Sequence, residues 1–298
     1  MSLRGELVRV FARWFIKRRS RGESVEEARR RLAASEPFVP RPPAGTQTII
    51  LDAGGVAAHR IVTPESQKNR HVLFVHGGGY VTGSPSLYRH VTWRLAAAAR
   101  AQLLAIDYRL APEHPFPAAL EDTVAAYRWL LGQGAEPRSV AIMGDSAGGG
   151  LALAMLLKSR DENLPLPAAA IALSPWVDLA LTGASLKRNA AADPMLNAQD
   201  APKLVEQYLA GADPRTPYAS ALYGDPTGLP PVLIQVGSDE ILLDDAVRMA
   251  EKLRAAGRPV ELEIFPRMPH VWHAFAPFLP EARRAIEHIG AFLRRELL

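Results

Sequence analysis

From Thr46 to the C-terminus the chain alternates between two hydrophobic rhythms, and this alternation limits the fold more than any other feature. Short apolar, partly β-branched runs fall at Thr46–Leu51, Ala57–Val62, His71–Val75, Leu103–Tyr108, Val140–Met143, Ala168–Leu173, Val232–Val236 and Val260–Phe265. Longer segments with helical spacing stand among them at Leu87–Ala99, Ala118–Leu131, Ala147–Ser159, Ala201–Ala210, Asp244–Ala256 and Glu281–Leu297. Strand and helix in turn predict an α/β fold: a mostly parallel central sheet with helices on both faces, preceded by an antiparallel pair.

Composition fits that class. With 298 residues, 48% hydrophobic and 22% charged, the chain can bury a large core. It has no cysteine, so it forms neither disulfides nor thiolate metal sites, and the cytoplasm is the expected location. Residues 1–41 carry eleven Lys or Arg against five Glu, whereas the rest is close to neutral, so the net +4 is no footprint for nucleic acid. No stretch reaches the roughly 20 uninterrupted apolar residues of a membrane span, so no integral membrane association is expected. No small-residue cleavage site follows the N-terminal apolar run, so no signal peptide is expected either.

The first residues have their own pattern. Leu3, Leu7, Val10, Phe11, Trp14 and Phe15 recur at helical spacing with basic residues between them, predicting an amphipathic helix over residues 2–18. Such a helix can lie on a membrane surface; the expectation is that its apolar face packs on its own protein. Ser24 and Glu27 fit a capping box for a second helix to about Leu32, and Pro37, Pro40, Pro42 and Pro43 mark a linker. Almost sixty residues with one clear helix separate the strand ending near Leu173 from that starting at Val232, an excursion of the kind that serves as a lid or binding loop. The expected division is therefore an N-terminal cap part, 1–45; a first catalytic part, 46–180; a cap excursion, 181–222; and a second catalytic part, 223–298.

Two glycine-rich turns carry chemistry. In "VAIMGDSAGGG", Ser146 sits where a strand becomes a helix, so its hydroxyl is exposed and the next amide lies at a helix N-terminus. Chance alone gives such a G-x-S-x-G in roughly one chain in ten of this length, and an N-cap serine is the rival reading. In "VLFVHGGGYVTGS", Gly77–Gly79 follow a strand and can turn amides toward a ligand oxygen. Phosphate binding is disfavoured, because no G-K-[ST] or G-x-G-x-x-G follows. His76 is expected to hold the loop.

A serine nucleophile needs a base and an acid that orients it. His270, in a loop soon after the strand Val260–Phe265, is the expected base, with His273 the fallback; His288 belongs to the C-terminal helix. "GSDEILLDDA" offers Asp239, Glu240, Asp244 and Asp245, and Asp239 is chosen because it lies immediately past the strand. Asp244 and Asp245 suit the start of a helix for helix reasons alone.

These landmarks, with "DYRLAPEHPFPAALED" from Asp107 and "SPWVDL" from Ser174, closely resemble the hormone-sensitive lipase family of α/β-hydrolases, which includes many bacterial carboxylesterases. The resemblance spans about residues 70–275. It implies Ser146 as nucleophile, His270 as base, Asp239 as orienting acid, and the amides of Gly78, Gly79 and Ala147 as oxyanion donors. It also implies a cap and, with no cofactor or metal, hydrolysis of short- to medium-chain acyl esters. Ser238-Asp239-Glu240-Ile241 departs from the Asp-Pro-Leu that many members carry there. Phe11, Trp14, Tyr80, Met195, Leu204 and Tyr208 are the candidates for contact with a small-molecule ester. An amidase or peptidase on the same scaffold, or a receptor that binds without turnover, are the alternatives; the known receptors lack the histidine. Family analogy allows a homodimer.

Overall fold

The computed structural model describes residues 2–298. Each of the eight expected strands and six expected helices is present, with ends moved by a few residues. The strands are β1 Gln47–Asp52, β2 Ala57–Val62, β3 Gln67–Val75, β4 Ala101–Ile106, β5 Val140–Asp145, β6 Ala169–Leu173, β7 Val232–Gly237 and β8 Val260–Phe265. They form one sheet in the order β1-β2-β4-β3-β5-β6-β7-β8. β2 runs antiparallel to both β1 and β4, and the remaining pairs are parallel.

Side chains alternate across each strand, and both faces of the central strands are buried. Leu73, Val75, Leu104, Ile106 and Ile142 face a layer containing helices Ala118–Gly132 and Ala147–Asp161. Val72, Phe74, Leu103, Ala105, Ala141 and Met143 face the other layer, which contains Pro85–Ala99 and Pro280–Glu296. The carboxyl ends of β3, β5, β7 and β8 thereby deliver their following loops to one edge of the sheet, where ligands bind in open α/β folds.

The N-terminal segment corrects an expectation. A helix runs from Leu3 to Ser20, its middle wound as a π-helix over Ala12–Lys17. The side chains of the expected apolar stripe do not pack on the protein: Leu7 is 69% exposed, Trp14 56% and Phe15 53%. The inward face is made by Gly5, Val8 and Ala12 together with cations that find carbonyl partners. Arg13 donates to the Ala191 and Ala192 carbonyls, and Lys17 to those of Ala190 and Asp193 at 2.8 and 2.7 Å. Long basic side chains reach such acceptors while their stems pack, and here they decide which face turns inward. The second helix, Val25–Ser35, begins with the expected capping box between Ser24 and Glu27. Arg29 fastens it through the Val81 and Ala111 carbonyls and Glu113.

Candidate active site

Ser146 is the single residue between β5 and helix Ala147–Asp161, with φ 53° and ψ −122°. A side chain rarely adopts this backbone, which persists only where the surroundings enforce it. The enforcement is visible: the Ser146 amide donates to the Leu173 carbonyl at 2.8 Å, and its carbonyl accepts from the Trp176 amide at 3.0 Å. The flanking glycines are steric necessities. A methyl on Gly148 would meet the Val75 carbonyl oxygen, and one on Gly144 would meet the carbonyl of Gly148.

The glycine loop after β3 lies against this turn. Gly78 adopts φ 123°, and its carbonyl accepts from the Val81 and Thr82 amides and the Thr82 hydroxyl. The Gly77 amide donates to Asp145 Oδ1 at 2.9 Å, and the Tyr88 hydroxyl donates to Oδ2 at 2.8 Å, so one buried carboxylate links the two glycine turns. Burial pushes that carboxyl up to about 6. Among the described residues the amides of Gly78, Gly79 and Ala147 donate to no protein acceptor. His76 plays the expected supporting part: its Nδ1–H faces the Gly77 carbonyl at 2.8 Å, and its ring stacks on Tyr108. Burial lowers its pKa to about 4, so the ring is neutral at pH 7.

His270 is buried and shares a cavity with Ser146. Its Nδ1 lies 2.7 Å from Glu240 Oε2. A carboxylate can only accept, so Nδ1 carries the proton and the Nε2 lone pair is left free. Burial pulls the ring's pKa down, but the Glu240 charge and hydrogen bond, with the charges of Asp193 and Asp145, outweigh this and hold it above the ordinary imidazole value. The other Glu240 oxygen accepts from the Gly237 amide at 2.6 Å and the Ser174 hydroxyl at 2.7 Å.

Asp239 is therefore not the residue on the imidazole. The Glu240 amide closes a turn onto the Gly237 carbonyl, placing residue 239 at the outer corner and returning residue 240 over the strand end. Asp239 pairs instead with Arg9 at 2.7 Å. His273, the fallback base, is bound through Nε2 to Gln235 at 2.7 Å; burial lowers its pKa to about 3. Asp244 holds Ser185 and Arg188, and Asp245 accepts the Val177 and Asp178 amides.

Residues of the 181–222 excursion clamp the acid-bearing turn. Asn189 Nδ2 donates to the Ser238 and Glu240 carbonyls. Asp193, fully buried, accepts the Ile241 amide through Oδ2 at 2.9 Å and the Met195 and Leu196 amides through Oδ1 at 2.8 and 2.9 Å.

The cavity measures about 470 Å³, within the range of small-molecule pockets, and its wall is mostly apolar. Met195 and Leu204 line it as expected, as do Gly78 and Gly79. Four candidates do not. Phe11 and Trp14 lie on the outer face of the first helix, while Tyr80 and Tyr208 are buried and stack on each other at 3.7 Å. Ile16, Leu196, Ile241, Leu242 and Phe275 line the cavity without having been expected. Ile16 follows the inward helix face, and Ile241 and Leu242 follow Glu240; neither placement has a local sequence signal. Among the described residues no group of three or more His, Cys, Asp or Glu side chains could hold a metal ion, and no helix is long and apolar enough to cross a membrane.

A strained serine at a strand-to-helix turn, opening on the same cavity as a carboxylate-bound histidine beyond a parallel sheet, is the arrangement of an α/β hydrolase. The chain belongs to that family: the model of the alpha/beta hydrolase fold matches residues 72–274. It is 54% identical over 233 residues to an acetyl-hydrolase of Streptomyces hygroscopicus, covering 78% of each chain. Its structure superposes on an esterase from the bacterial hormone-sensitive lipase family with TM-score 0.94 at 43% identity, covering 100% of this chain and 99% of the other. It also superposes on EstE5 soaked with p-nitrophenyl butyrate, with TM-score 0.95 at 42% identity and 99% of both chains.

Proposed function

We propose that the chain hydrolyses carboxylic esters with short to medium acyl groups through an acyl-enzyme on Ser146. The observation that carries this reading is the Nδ1–Glu240 bond of His270, which leaves a basic Nε2 in the cavity that Ser146 also reaches. In the first step Nε2 takes the Ser146 hydroxyl proton as Oγ attacks the ester carbonyl. The tetrahedral oxyanion is held by the free amides of Gly78, Gly79 and Ala147, the last at a helix N-terminus where negative charge is favoured. Collapse breaks the bond to the alkoxy oxygen, which leaves with the proton from Nε2. Water then gives its proton to the same nitrogen, attacks the acyl carbonyl, and releases the acid while the proton returns to Ser146.

In this reading Glu240 stabilises the imidazolium and fixes its tautomer. Residues 1–45 and 181–222 form the cap: Ile16, Val25, Leu186, Met195, Leu196 and Leu204 line the cavity from those two segments. The names of the relatives, an acetyl-hydrolase and an esterase soaked with a butyrate ester, support a preference for small acyl groups. A fluorophosphonate ester is expected to label Ser146 alone, and Ser146→Ala to abolish both labelling and turnover. Labelling at another residue, or turnover retained in that variant, overturns the scheme.

A further inference from the structure

The first helix is mounted inside out. Three of its cations bind inward: Arg13 and Lys17 hold carbonyls of the 181–222 excursion, and Arg9 holds Asp239 and the Arg267 carbonyl. Leu3, Leu7, Val10, Phe11, Trp14 and Phe15 face outward, each about half exposed or more. A helix anchored by its polar side keeps its apolar stripe free in the folded protein. The stripe has order of its own, with Phe11 stacked on Phe15 at 5.1 Å, Arg18 over the Trp14 ring and Arg19 over the Phe15 ring.

We propose that this stripe docks on an anionic lipid surface. Aromatic and aliphatic side chains along one helix face, flanked by arginines, are the chemistry of a helix lying in the headgroup region. Arg4 flanks the stripe at one end and Arg18, Arg19 and Arg21 at the other, and the one carboxylate between residues 3 and 22, Glu6, is paired with Arg9 and Arg267. A second copy of the chain is disfavoured by the same charges, since pairing two such stripes parallel or antiparallel sets arginine against arginine. The helix also contributes Ile16 and Ser20 to the cavity wall, so docking holds that cavity beside the lipid.

Flotation with phosphatidylcholine vesicles, with and without phosphatidylglycerol, tests this and reads binding whether or not esters are hydrolysed. The protein is expected to float only with the anionic vesicles and to be released by high salt. Arg18→Gln/Arg19→Gln removes two surface cations and should weaken binding about twenty-five-fold, from roughly a five-fold loss per arginine. Leu7→Ser/Phe15→Ser should abolish flotation while leaving Tm and hydrolysis of a soluble short-chain ester unchanged. Failure of the wild-type protein to float with the anionic vesicles overturns the proposal, as does undiminished flotation of the serine variant. A wild-type dimer that the serine variant turns into a monomer assigns the stripe to a second copy and overturns it equally.

Discussion

Glu240 divides its two carboxylate oxygens between His270 and the chain that carries the carboxylate itself: Oε2 meets the imidazole at 2.7 Å, while Oε1 is fixed by Ser174 and by the amide of Gly237. The orientation of the ring is thereby set by three elements of the sheet. An acid so placed raises the ring's proton affinity against the pull of burial.

Glu240→Gln should lower kcat by about three to four orders of magnitude, the loss expected when the partner of a base can no longer fix its tautomer. Because the base must be neutral, activity in the native protein falls as pH drops through a histidine pKa raised above its ordinary value. Removing the charge leaves only Asp193 and Asp145 to oppose burial, so the acid limb of the rate profile should move to lower pH. Asp239→Asn should leave kcat within a few-fold and the limb in place. A pH profile of each variant checks the assignment, and the opposite ranking would return the role to Asp239.

Strain at Ser146 predicts an inequality. A glycine adopts φ 53°, ψ −122° without cost, whereas alanine keeps the penalty. Ser146→Gly should therefore be more stable than Ser146→Ala by about 1–3 kcal/mol, with both inactive. Urea unfolding of the two variants measures the difference directly.

Leu204, on helix Ala201–Leu209, lines the cavity and stands over Gly79, 3.1 Å from where a Cβ on that glycine would lie. Leu204→Trp should shorten the accepted acyl chain. Each excluded methylene is worth about 1–3 kcal/mol in kcat/KM, so hexanoate should lose far more than acetate in a series of nitrophenyl esters.

Two neutral, buried histidines predict sensitivity to acid. His76 and His273 have pKa values lowered by burial to about 4 and about 3, while in the unfolded chain each takes up a proton near its ordinary value. The unfolded state then binds more protons, so the stability these groups contribute above about pH 6.5 is lost as pH falls toward 4. His273→Gln keeps a donor for Gln235 and cannot titrate. It should flatten the decline in urea midpoint between pH 7 and pH 5, and an unchanged slope would count against the assignment.

What could be read in the sequence follows from how local its causes are. The strands and helices were legible because hydrophobic period and turn chemistry are short-range, and Ser146 because a strand, a glycine turn and a helix coincide there. The acid was not, because Asp239 and Glu240 are adjacent and only the turn onto Gly237 decides which side chain points outward. The first helix was legible as amphipathic, yet its inward face depends on carbonyls at Ala190–Asp193 that are distant in the chain. Tyr80 and Tyr208 have a pocket-like composition, but their mutual stacking in the core is a tertiary fact.

The buried carboxylate of Asp193 ties two parts of the molecule that an engineer would wish to vary separately. One of its oxygens shapes the Met195–Leu196 wall and the other secures the residue after Glu240. Redesign of that wall for bulkier esters is thus coupled to the precision of proton transfer, and a library confined to Leu204 and its helix should recover active variants more often than one that loosens residues 193–196.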